Sequence, residues 1–441
     1  MINSFLILFG KFVISLSKFF NLGSGSTWPG HIALKLNPNF IRQILDSHPK
    51  GVKPKVIIIA GTNGKTTTGK LITEILRSIN KSVLHNAAGA NLLNGLASTL
   101  IKGSSLYSLF SLPRSDPGRL KQSYLVFECD ENALPEVIEQ TNPDYVICLN
   151  LFRDQLDRYG EIDSIAKKWH KSFKKLNTNT TLILNVDDPQ ISFLSDDSKA
   201  KTLHFGLEAK SDGSQIEHGA DSAHCPNCGS KLEYESVFFS HLGVWKCSNC
   251  QIKRPMLDIS NLGFHPLVGT YNKYNTLAAY LFAKHEKIKY SVINEAFRNF
   301  TPAFGRQEKI NYKGKNVQIF LSKNPTSFNE SLQTIKFLGG KNLLFVLNDK
   351  IPDGLDVSWI WDVNLEEILE KQMNIAVSGD RVYDMVLRLK YAEQFTHVEQ
   401  DLKKSINQMV EKLEENETLY ILPNYSAMLE VRKVLTGRKI L

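Results

Sequence analysis

A short loop carries the side chains that could bind a phosphate group. It consists of Gly61, Thr62, Asn63, Gly64, Lys65, Thr66 and Thr67. The two glycines let backbone N–H groups approach phosphate oxygens closely, and Lys65 would place a positive charge on the outer phosphates. The hydroxyl of Thr66 can hold Mg²⁺. We therefore predict that this loop binds the phosphates of a nucleotide.

The segments on either side of the loop fit that role. The β-branched apolar residues 56–59 predict a strand before the loop, and residues 69–76 predict a helix after it. The loop is shorter than the common G-x-x-x-x-G-K-[ST] pattern, because Ile59 stands where the first glycine would fall. A glycine-rich turn without a ligand is the alternative, but strand, turn, Lys-Thr and helix together favour phosphate binding.

Four cysteines have the spacing of a metal site. Cys225 and Cys228 form one C-x₂-C pair, Cys247 and Cys250 form another, and residues 229–246 separate the pairs. This spacing predicts a zinc ribbon, in which four thiolates fill a tetrahedron and make the site structural. A redox pair or a chance cluster is the alternative. The intervening segment contains two lysines and no arginine, so DNA or RNA binding is the weaker interpretation.

The overall composition is that of a soluble globular protein. The 441 residues suffice for two or three domains, and the net charge of +8 suits a nucleotide or an anionic membrane surface. The remaining cysteines, Cys129 and Cys148, lie in apolar runs and are predicted to be core residues. We expect a reducing, cytoplasmic location.

The N-terminal segment is apolar but interrupted by charge. Residues 5–20 are rich in Phe, Leu and Ile, yet Lys11 and Lys18 break the run, so neither a membrane span nor a secretory signal is expected. Ser4, Lys11, Ser15 and Lys18 would share one helical face. We predict an amphipathic helix that docks on the protein itself. Peripheral contact with a membrane surface, or with a partner, is the alternative.

From residue 56 onward the pattern is α/β. Short apolar runs at residues 124–128, 145–150 and 181–185 predict parallel strands that are buried on both faces. In open α/β sheets the ligand lies beyond the carboxyl ends of the strands, so Glu128, Asn150 and Asn185 should cluster near the loop.

The chain divides into three predicted parts. Residues 1–50 form the N-terminal helix and a lead-in, residues 51–310 form the nucleotide-binding domain, and residues 311–441 form a second α/β domain. The cysteine insertion spans about residues 218–258, and a helix is predicted from Asn275 to Glu286.

Several motifs resemble the Mur ligase superfamily, which joins amino acids to peptidoglycan precursors. The loop at residues 61–67 is similar to the family's ATP loop, and Glu128 begins a segment similar to its Mg²⁺-binding glutamate segment. Residues 185–189 resemble its Asn-x-Asp-Asp-Pro turn. The segment containing Asn275 resembles its adenine-side segment, and Arg306 belongs to a turn like the one at the start of its third domain.

The resemblance implies ATP and Mg²⁺ as cofactors, with Thr66 and Glu128 holding the magnesium and Asn275 and Arg306 contributing to the nucleotide site. It implies a central P-loop ATPase domain with the zinc-ribbon insertion, followed by a Rossmann-like α/β domain. Many members have a histidine where this chain has Gln155, and that histidine helps to hold a second metal.

One subfamily fits better than the generic ligases. The cysteine insertion and residues 152–161, 323–325 and 348–362 are similar to the ligase-like subunits of lipid II isoglutaminyl synthase. This resemblance implies ATP-dependent amidation of the D-glutamate α-carboxylate of the lipid II stem peptide, through an acyl phosphate, to give D-isoglutamine. It also implies a heterodimer with a GatD-like glutamine amidotransferase of the cobyric-acid-synthase type. Nothing in this chain itself resembles a glutaminase.

Asp349 is the candidate for the second half of that reaction. It follows the apolar run 343–347, at a carboxyl end where a site belongs. Together with the resemblance, this position favours a carboxylate that binds ammonium and accepts its proton, with Lys65 acting on ATP. Capping a turn or pairing with a lysine is the alternative for Asp349. Two rival functions remain: a Mur- or folylpolyglutamate-type amino acid ligase, and a nucleotide-regulated zinc-ribbon module that binds nucleic acid.

Overall fold

The computed structural model describes residues 2–19, 27–47, 53–86, 90–104, 122–153, 162–208 and 222–437. Three helices precede the first strand: α1 (Ile2–Phe19), α2 (Trp28–Leu36) and α3 (Phe40–Asp46). The predicted N-terminal helix is therefore confirmed. None of the described helices combines the length and apolar character that crossing a bilayer requires.

The first α/β unit is built on a six-stranded parallel sheet. Its elements are β1 (Lys55–Ala60), α4 (Lys65–Ser78), β2 (Ser82–His85), α5 (Leu93–Gly103), β3 (Gln122–Cys129), α6 (Leu134–Thr141), β4 (Tyr145–Cys148), α7 (Ile162–Phe173), β5 (Thr181–Asn185), α8 (Pro189–Phe193) and β6 (Lys201–Phe205). The strand order is β2-β3-β1-β4-β5-β6. Alternate residues of β1 face two separate cores, with Val56 in one and Ile57 in the other, which confirms the prediction of strands buried on both faces.

The cysteine insertion contains an antiparallel hairpin of β7 (Glu233–Phe239) and β8 (Leu242–Lys246). Two helices follow, α9 (Thr270–His285) and α10 (Tyr290–Arg298). Helix α9 begins five residues before the predicted start at Asn275. Gly269, with a φ of +99°, directly precedes the helix, and this left-handed conformation ends the segment before it.

The second α/β unit has its own six-stranded sheet. Its elements are β9 (Arg306–Tyr312), β10 (Lys315–Phe320), α11 (Pro325–Phe337), β11 (Asn342–Val346), 3₁₀ turns at Ile351–Asp353 and Ser358–Asp362, α12 (Leu365–Ile368), β12 (Asn374–Ser378), α13 (Val382–Tyr391), β13 (Thr396–Val398), α14 (Leu402–Glu411), β14 (Thr418–Pro423) and α15 (Tyr425–Thr436). The order is β13-β12-β11-β14-β10-β9, and only β9 runs antiparallel to its neighbour. The boundary expected at residues 310/311 falls inside β9, which pairs with β10 of this sheet.

Candidate functional site

The loop after β1 is tied to the end of the neighbouring strand β4. The backbone N–H of Thr62 donates to the Asn150 carbonyl over 3.0 Å, and that of Asn63 donates to the Asn150 side chain over 2.8 Å. The Thr62 hydroxyl accepts a 3.0 Å bond from the Phe152 N–H. The predicted position of Asn150 beside the loop is thus confirmed. Asn185 instead donates to the Leu149 carbonyl over 2.8 Å and supports the strand end beneath.

Both loop glycines have backbone conformations in which another residue would be strained. Gly61 has a φ of +138° and Gly64 a φ of +93°. A Cβ on Gly64 would lie 2.1 Å from the Asn275 amide oxygen on α9. The glycines therefore let the loop turn and let α9 approach it closely, which brings Asn275 to the loop.

Lys65 is held against the loop and a buried carboxylate. Its ammonium donates to the Gly61 carbonyl and lies 3.2 Å from a carboxylate oxygen of Glu131. Burial opposes ionisation of Glu131, but the charges of Lys65 and Lys323 hold the pKa of Glu131 below its ordinary value. Glu131 is therefore an anion that orients Lys65, a role that the sequence patterns did not assign to it.

Thr66 and Glu128 come together as an oxygen pair. The Thr66 hydroxyl donates to Glu128 over 2.6 Å, and His85 lies 3.0 Å from the other oxygen of the same carboxylate. Burial raises the pKa of Glu128, but the hydrogen bonds from His85 and Thr66 outweigh it and leave the pKa lowered. An ionised carboxylate beside a hydroxyl is the kind of hard donor set that suits Mg²⁺.

His85 was missed by sequence reasoning. It ends β2, two strands away from β1 in the sheet, and only the strand order places it at the same edge as the loop. The apolar runs predict no strand over residues 82–85, so the sequence held no signal that pointed to His85.

A cleft adjoins the loop and is shared between the two α/β units. From the first unit it is lined by residues that include Asn63, Gly64, Thr67 and Asn275, and from the second by Arg306 and residues of α11. Burial lowers the pKa of the Arg306 guanidinium, opposed by the negative charge of Glu128. The structure thus brings Thr67, Asn275 and Arg306, all predicted from motifs, to one cavity.

The cysteine insertion also reaches this cleft. Phe239, at the end of β7, lines it. The Phe239 ring centroid lies 5.8 Å from that of Phe152 and 5.7 Å from that of Tyr274. Such aromatic walls suit a flat heterocycle. No pattern in the sequence pointed to Phe239, because its position depends on how the hairpin docks.

The four predicted metal ligands converge. One donor atom from each of Cys225, Cys228, Cys247 and Cys250 lies within 4.8 Å of all the others, and two of the sulfur pairs are 3.5 and 3.6 Å apart. Thiolates on a tetrahedral zinc ion, at about 2.3 Å from the metal, would be about 3.8 Å apart. The arrangement therefore fits a four-thiolate metal site.

A buried aspartate fastens the hairpin to the first unit. Asp187 accepts a 2.6 Å bond from Arg254 in the insertion and a 2.7 Å bond from the Tyr274 hydroxyl on α9. Its backbone carbonyl accepts from the Gly243 N–H over 3.0 Å. Burial raises the pKa of Asp187 to about 6, against the opposing charge of Arg254. The Asn-x-Asp-Asp-Pro turn thus anchors the insertion that carries Phe239.

Asp349 lies elsewhere. It follows β11 at the carboxyl edge of the second sheet, and its carboxylate lies 3.2 Å from the Arg381 guanidinium. It is not among the described residues that line the cleft, so Asp349 does not share this cleft with the loop. Gln155 lies outside the described residues.

Comparison with known proteins gives consistent matches along the chain. A family model described as the Mur ligase middle domain matches residues 59–283, and one described as MurT ligase C-terminal matches residues 321–428. The MurT subunit of the glutamine-hydrolysing lipid II isoglutaminyl synthase of Staphylococcus aureus (strain COL) is 31% identical over 424 residues, covering 92% of this chain and 91% of that protein.

One further relative and one solved structure extend the comparison. The corresponding MurT subunit of Streptococcus pneumoniae (strain ATCC BAA-255 / R6) is 30% identical over 447 residues, covering 95% of this chain and 94% of that protein. Among solved structures, a pseudomurein peptide ligase type C from Methanothermus fervidus has a TM-score of 0.65 at 23% identity. That match covers 90% of this chain and 81% of the other, and shows a shared fold.

Proposed function

The chain belongs to the Mur ligase family, within its MurT group, and we propose that it is the ATP-dependent ligase subunit of a lipid II isoglutaminyl synthase. The substrate would be the α-carboxylate of D-glutamate in the lipid II stem peptide, and the product the D-isoglutamine amide. The observation that carries the proposal is the Lys65, Thr66 and Glu128 constellation in a chain that matches MurT proteins over nearly its whole length.

Activation of the carboxylate is assigned to the loop after β1. A carboxylate is a poor electrophile, and transfer of the γ-phosphoryl group of ATP to one of its oxygens gives an acyl phosphate and ADP. Lys65 would stabilise the negative charge that develops on the transferring group, and backbone N–H groups of the loop would hold the phosphates. Glu131 would keep the ammonium of Lys65 oriented until nucleotide arrives.

Magnesium would be held by the Thr66 hydroxyl and the Glu128 carboxylate, and would neutralise phosphate charge when bound. Glu128 suits this role because it is ionised and is fixed from behind by His85 and by Asn86, whose side chain accepts a 2.8 Å bond from the Glu128 N–H. The adenine would enter the cleft beside Asn275, with Phe239 as one aromatic wall and Arg306 at its edge.

Amide formation is assigned to the second α/β unit. Ammonia attacks the acyl carbon, the C–N bond forms, and inorganic phosphate leaves with the C–O bond electrons. Asp349 would bind ammonium and accept the proton that must be lost before nitrogen becomes nucleophilic. Its support is its place at the carboxyl edge of a parallel sheet and its partial exposure, which leaves the carboxylate accessible.

The ammonia would come from a second subunit. The MurT relatives are named as subunits of a glutamine-hydrolysing enzyme, which implies a partner that releases ammonia from glutamine. We propose a heterodimer with a GatD-like amidotransferase in the cytoplasm, near the inner face of the membrane. The three parts would be an N-terminal segment of about residues 1–50, the nucleotide-binding domain, and a second α/β domain that begins with β9 and presents Asp349 to the ammonia.

Zinc would occupy the four-cysteine cluster with a structural role. The sulfur spacing supports this assignment, and so does the position of the cluster at the base of the β7–β8 hairpin. Because four thiolates leave no open coordination position, the ion would act by holding the hairpin, and therefore Phe239, in place.

A reconstituted reaction tests the proposal. The protein is mixed with lipid II, ATP, Mg²⁺ and either ammonium chloride or the amidotransferase with glutamine. The mass of the lipid product is then measured by mass spectrometry. We expect the mass change of replacing a carboxyl OH by NH₂, coupled to ADP formation, and neither change without ATP.

The rivals give different outcomes in the same assay. An amino acid ligase would add the mass of an amino acid residue and would show ATP hydrolysis stimulated by that amino acid rather than by ammonia. A nucleic-acid-binding module would show salt-dependent binding to DNA or RNA with no lipid product. Either result would refute the amidation proposal.

A further inference from the structure

Helix α1 turns some of its polar residues toward the protein. The ammonium of Lys11 donates to the Ser104 backbone carbonyl at the end of α5. The Asn3 side chain bonds to Gln43 over 2.9 Å and to Asn37 over 2.8 Å. These bonds fix the rotation of the helix about its axis, with Leu6 and Ile7 buried on the same inward side.

The opposite side of α1 is apolar and exposed. It presents large side chains at helical spacing, namely Ile2, Phe5, Leu8, Phe9, Phe12 and Leu16, which we call the apolar stripe. Phe5 and Phe12 are each 61% exposed, and the Phe5 and Phe9 rings stack with centroids 6.1 Å apart. On the neighbouring α2, Trp28 is 68% exposed. A continuous apolar surface of this kind marks a binding face.

The segment that carries the stripe is basic. Residues 1–47 contain Lys11, Lys18, Lys35 and Arg42 and one carboxylate, Asp46 at the end of α3, so their net charge is +3. Helix α5, which packs against α1 and α2, adds Lys102 and has no carboxylate. An apolar stripe in a basic setting complements a surface with an apolar interior and anionic headgroups.

We propose that the apolar stripe of α1 inserts into the interfacial region of an anionic lipid bilayer and seats the enzyme on the membrane. The helix is not apolar enough to span a bilayer, and its bonds to Ser104 and Gln43 would hold it against the body of the protein while the stripe contacts lipid. The excess of Lys and Arg over carboxylates in this segment favours lipid over a protein partner as the occupant. The proposal deepens the proposed function, on which its purpose rests, because a lipid-linked substrate resides at such a surface.

Vesicle sedimentation of the full chain, without nucleotide or substrate, tests this binding. We expect co-sedimentation with phosphatidylcholine vesicles containing phosphatidylglycerol and weaker binding to phosphatidylcholine alone. The combined variant Phe5→Ser, Phe9→Ser and Phe12→Ser should bind the anionic vesicles more than about tenfold more weakly, because the inserting side chains are lost. The single variant Phe12→Glu should also weaken binding, and thermal melting checks that both variants fold.

The matched control removes exposed aromatics from the second α/β unit. Tyr391 and Phe395 are 68% and 97% exposed, and Tyr391→Ser with Phe395→Ser should leave vesicle binding unchanged. Undiminished binding by the α1 variants, or equal binding to neutral vesicles, would overturn the proposal. The proposal would also be overturned if size-exclusion chromatography showed that the stripe mediates association with the amidotransferase or with a second copy of the chain.

Amidation of lipid II in detergent micelles separates this proposal from the function on which it rests. There the α1 variants should keep full activity, since the micelle delivers the substrate. If the unaltered chain binds vesicles but does not amidate lipid II, the proposed function is refuted and the membrane contact is supported. If it amidates lipid II but does not bind vesicles, the membrane contact is refuted and the proposed function is supported.

Discussion

The two six-stranded sheets hold the loops at the carboxyl ends of their parallel strands in a similar way, but the charged side chains on those loops differ in their exposure to solvent. In each, an asparagine from the neighbouring strand end holds the functional loop. Asn150 bonds to the Thr62 and Asn63 backbone in the first unit, and Asn424 bonds to the Asn348 carbonyl over 2.6 Å in the second. The loops are therefore fixed by a similar device.

The ion pairs at the two loops differ in how far they are exposed to solvent. The Lys65 and Glu131 side chains are 11% and 9% exposed, whereas Arg381 and Asp349 are 35% and 34% exposed. A buried ion pair is held in one arrangement, while an exposed pair competes with water and salt. Under the proposed roles, the ATP-activating half is preorganised, and the amide-forming half is completed by substrate, partner or closure of the two units.

Removal of the buried cation should have the largest effect. Lys65→Ala should lower kcat for amidation about 10³-fold, because transition-state charge on the phosphoryl group loses its stabilising partner. Steady-state amidation by mass spectrometry and ADP release measure this loss. Lys167→Ala, on the exposed face of α7, is the control and should be fully active. Normal turnover of the Lys65 variant would remove the loop from the mechanism.

The exposed carboxylate should matter at a different step. Asp349→Asn should lower amide formation about 10²-fold while leaving the KM for ATP unchanged, because it removes a proton acceptor and not a phosphate contact. ATP binding by calorimetry and amide yield at saturating ammonium separate the two effects.

Arg381 supplies a control for the ion pair itself. It also bonds to Asp384 over 2.8 Å, so Asp384→Asn weakens the hold on Arg381 without touching Asp349. If this variant is fully active while Asp349→Asn is impaired, the result supports a direct role for Asp349. Equal losses in both variants would instead make Asp349 a residue that positions Arg381.

Local pattern was enough to predict the central strands of each sheet, the loop and the converging cysteines. Residues 56–67 specify strand, turn and helix by themselves, and each C-x₂-C pair specifies a short turn. Glu128 was reached from its place at a strand end and again through motif resemblance, and Asn275 through resemblance alone; the structure places both against the loop.

What sequence did not reveal depends on long-range packing. His85 acts on Glu128 across neighbouring strands that are 43 residues apart in the chain, and no local pattern encodes that register. Phe239 reaches the cleft on a hairpin that is anchored by contacts between residues far apart in the chain, among them the Arg254 bond to Asp187. The outward rotation of α1 also follows from tertiary bonds, since helical periodicity shows that faces differ but not which face the protein covers.

The smallest expected effect tests whether the insertion belongs to the preorganised half. Metal analysis should find about one zinc per chain, and Cys250→Ser should lower that content because a thiolate ligand is lost. If the cluster holds the hairpin, the same variant should raise the KM for ATP about tenfold through displacement of Phe239, since stacking of a base on an aromatic ring contributes about 1–3 kcal/mol. Phe239→Ala should raise this KM similarly while keeping its zinc, and Cys148→Ala, outside the cluster, should also keep its zinc. Loss of zinc with an unchanged KM for ATP would show that the insertion does not contribute to the nucleotide site. Only the loop, Glu131 and Glu128 would then belong to the preorganised half.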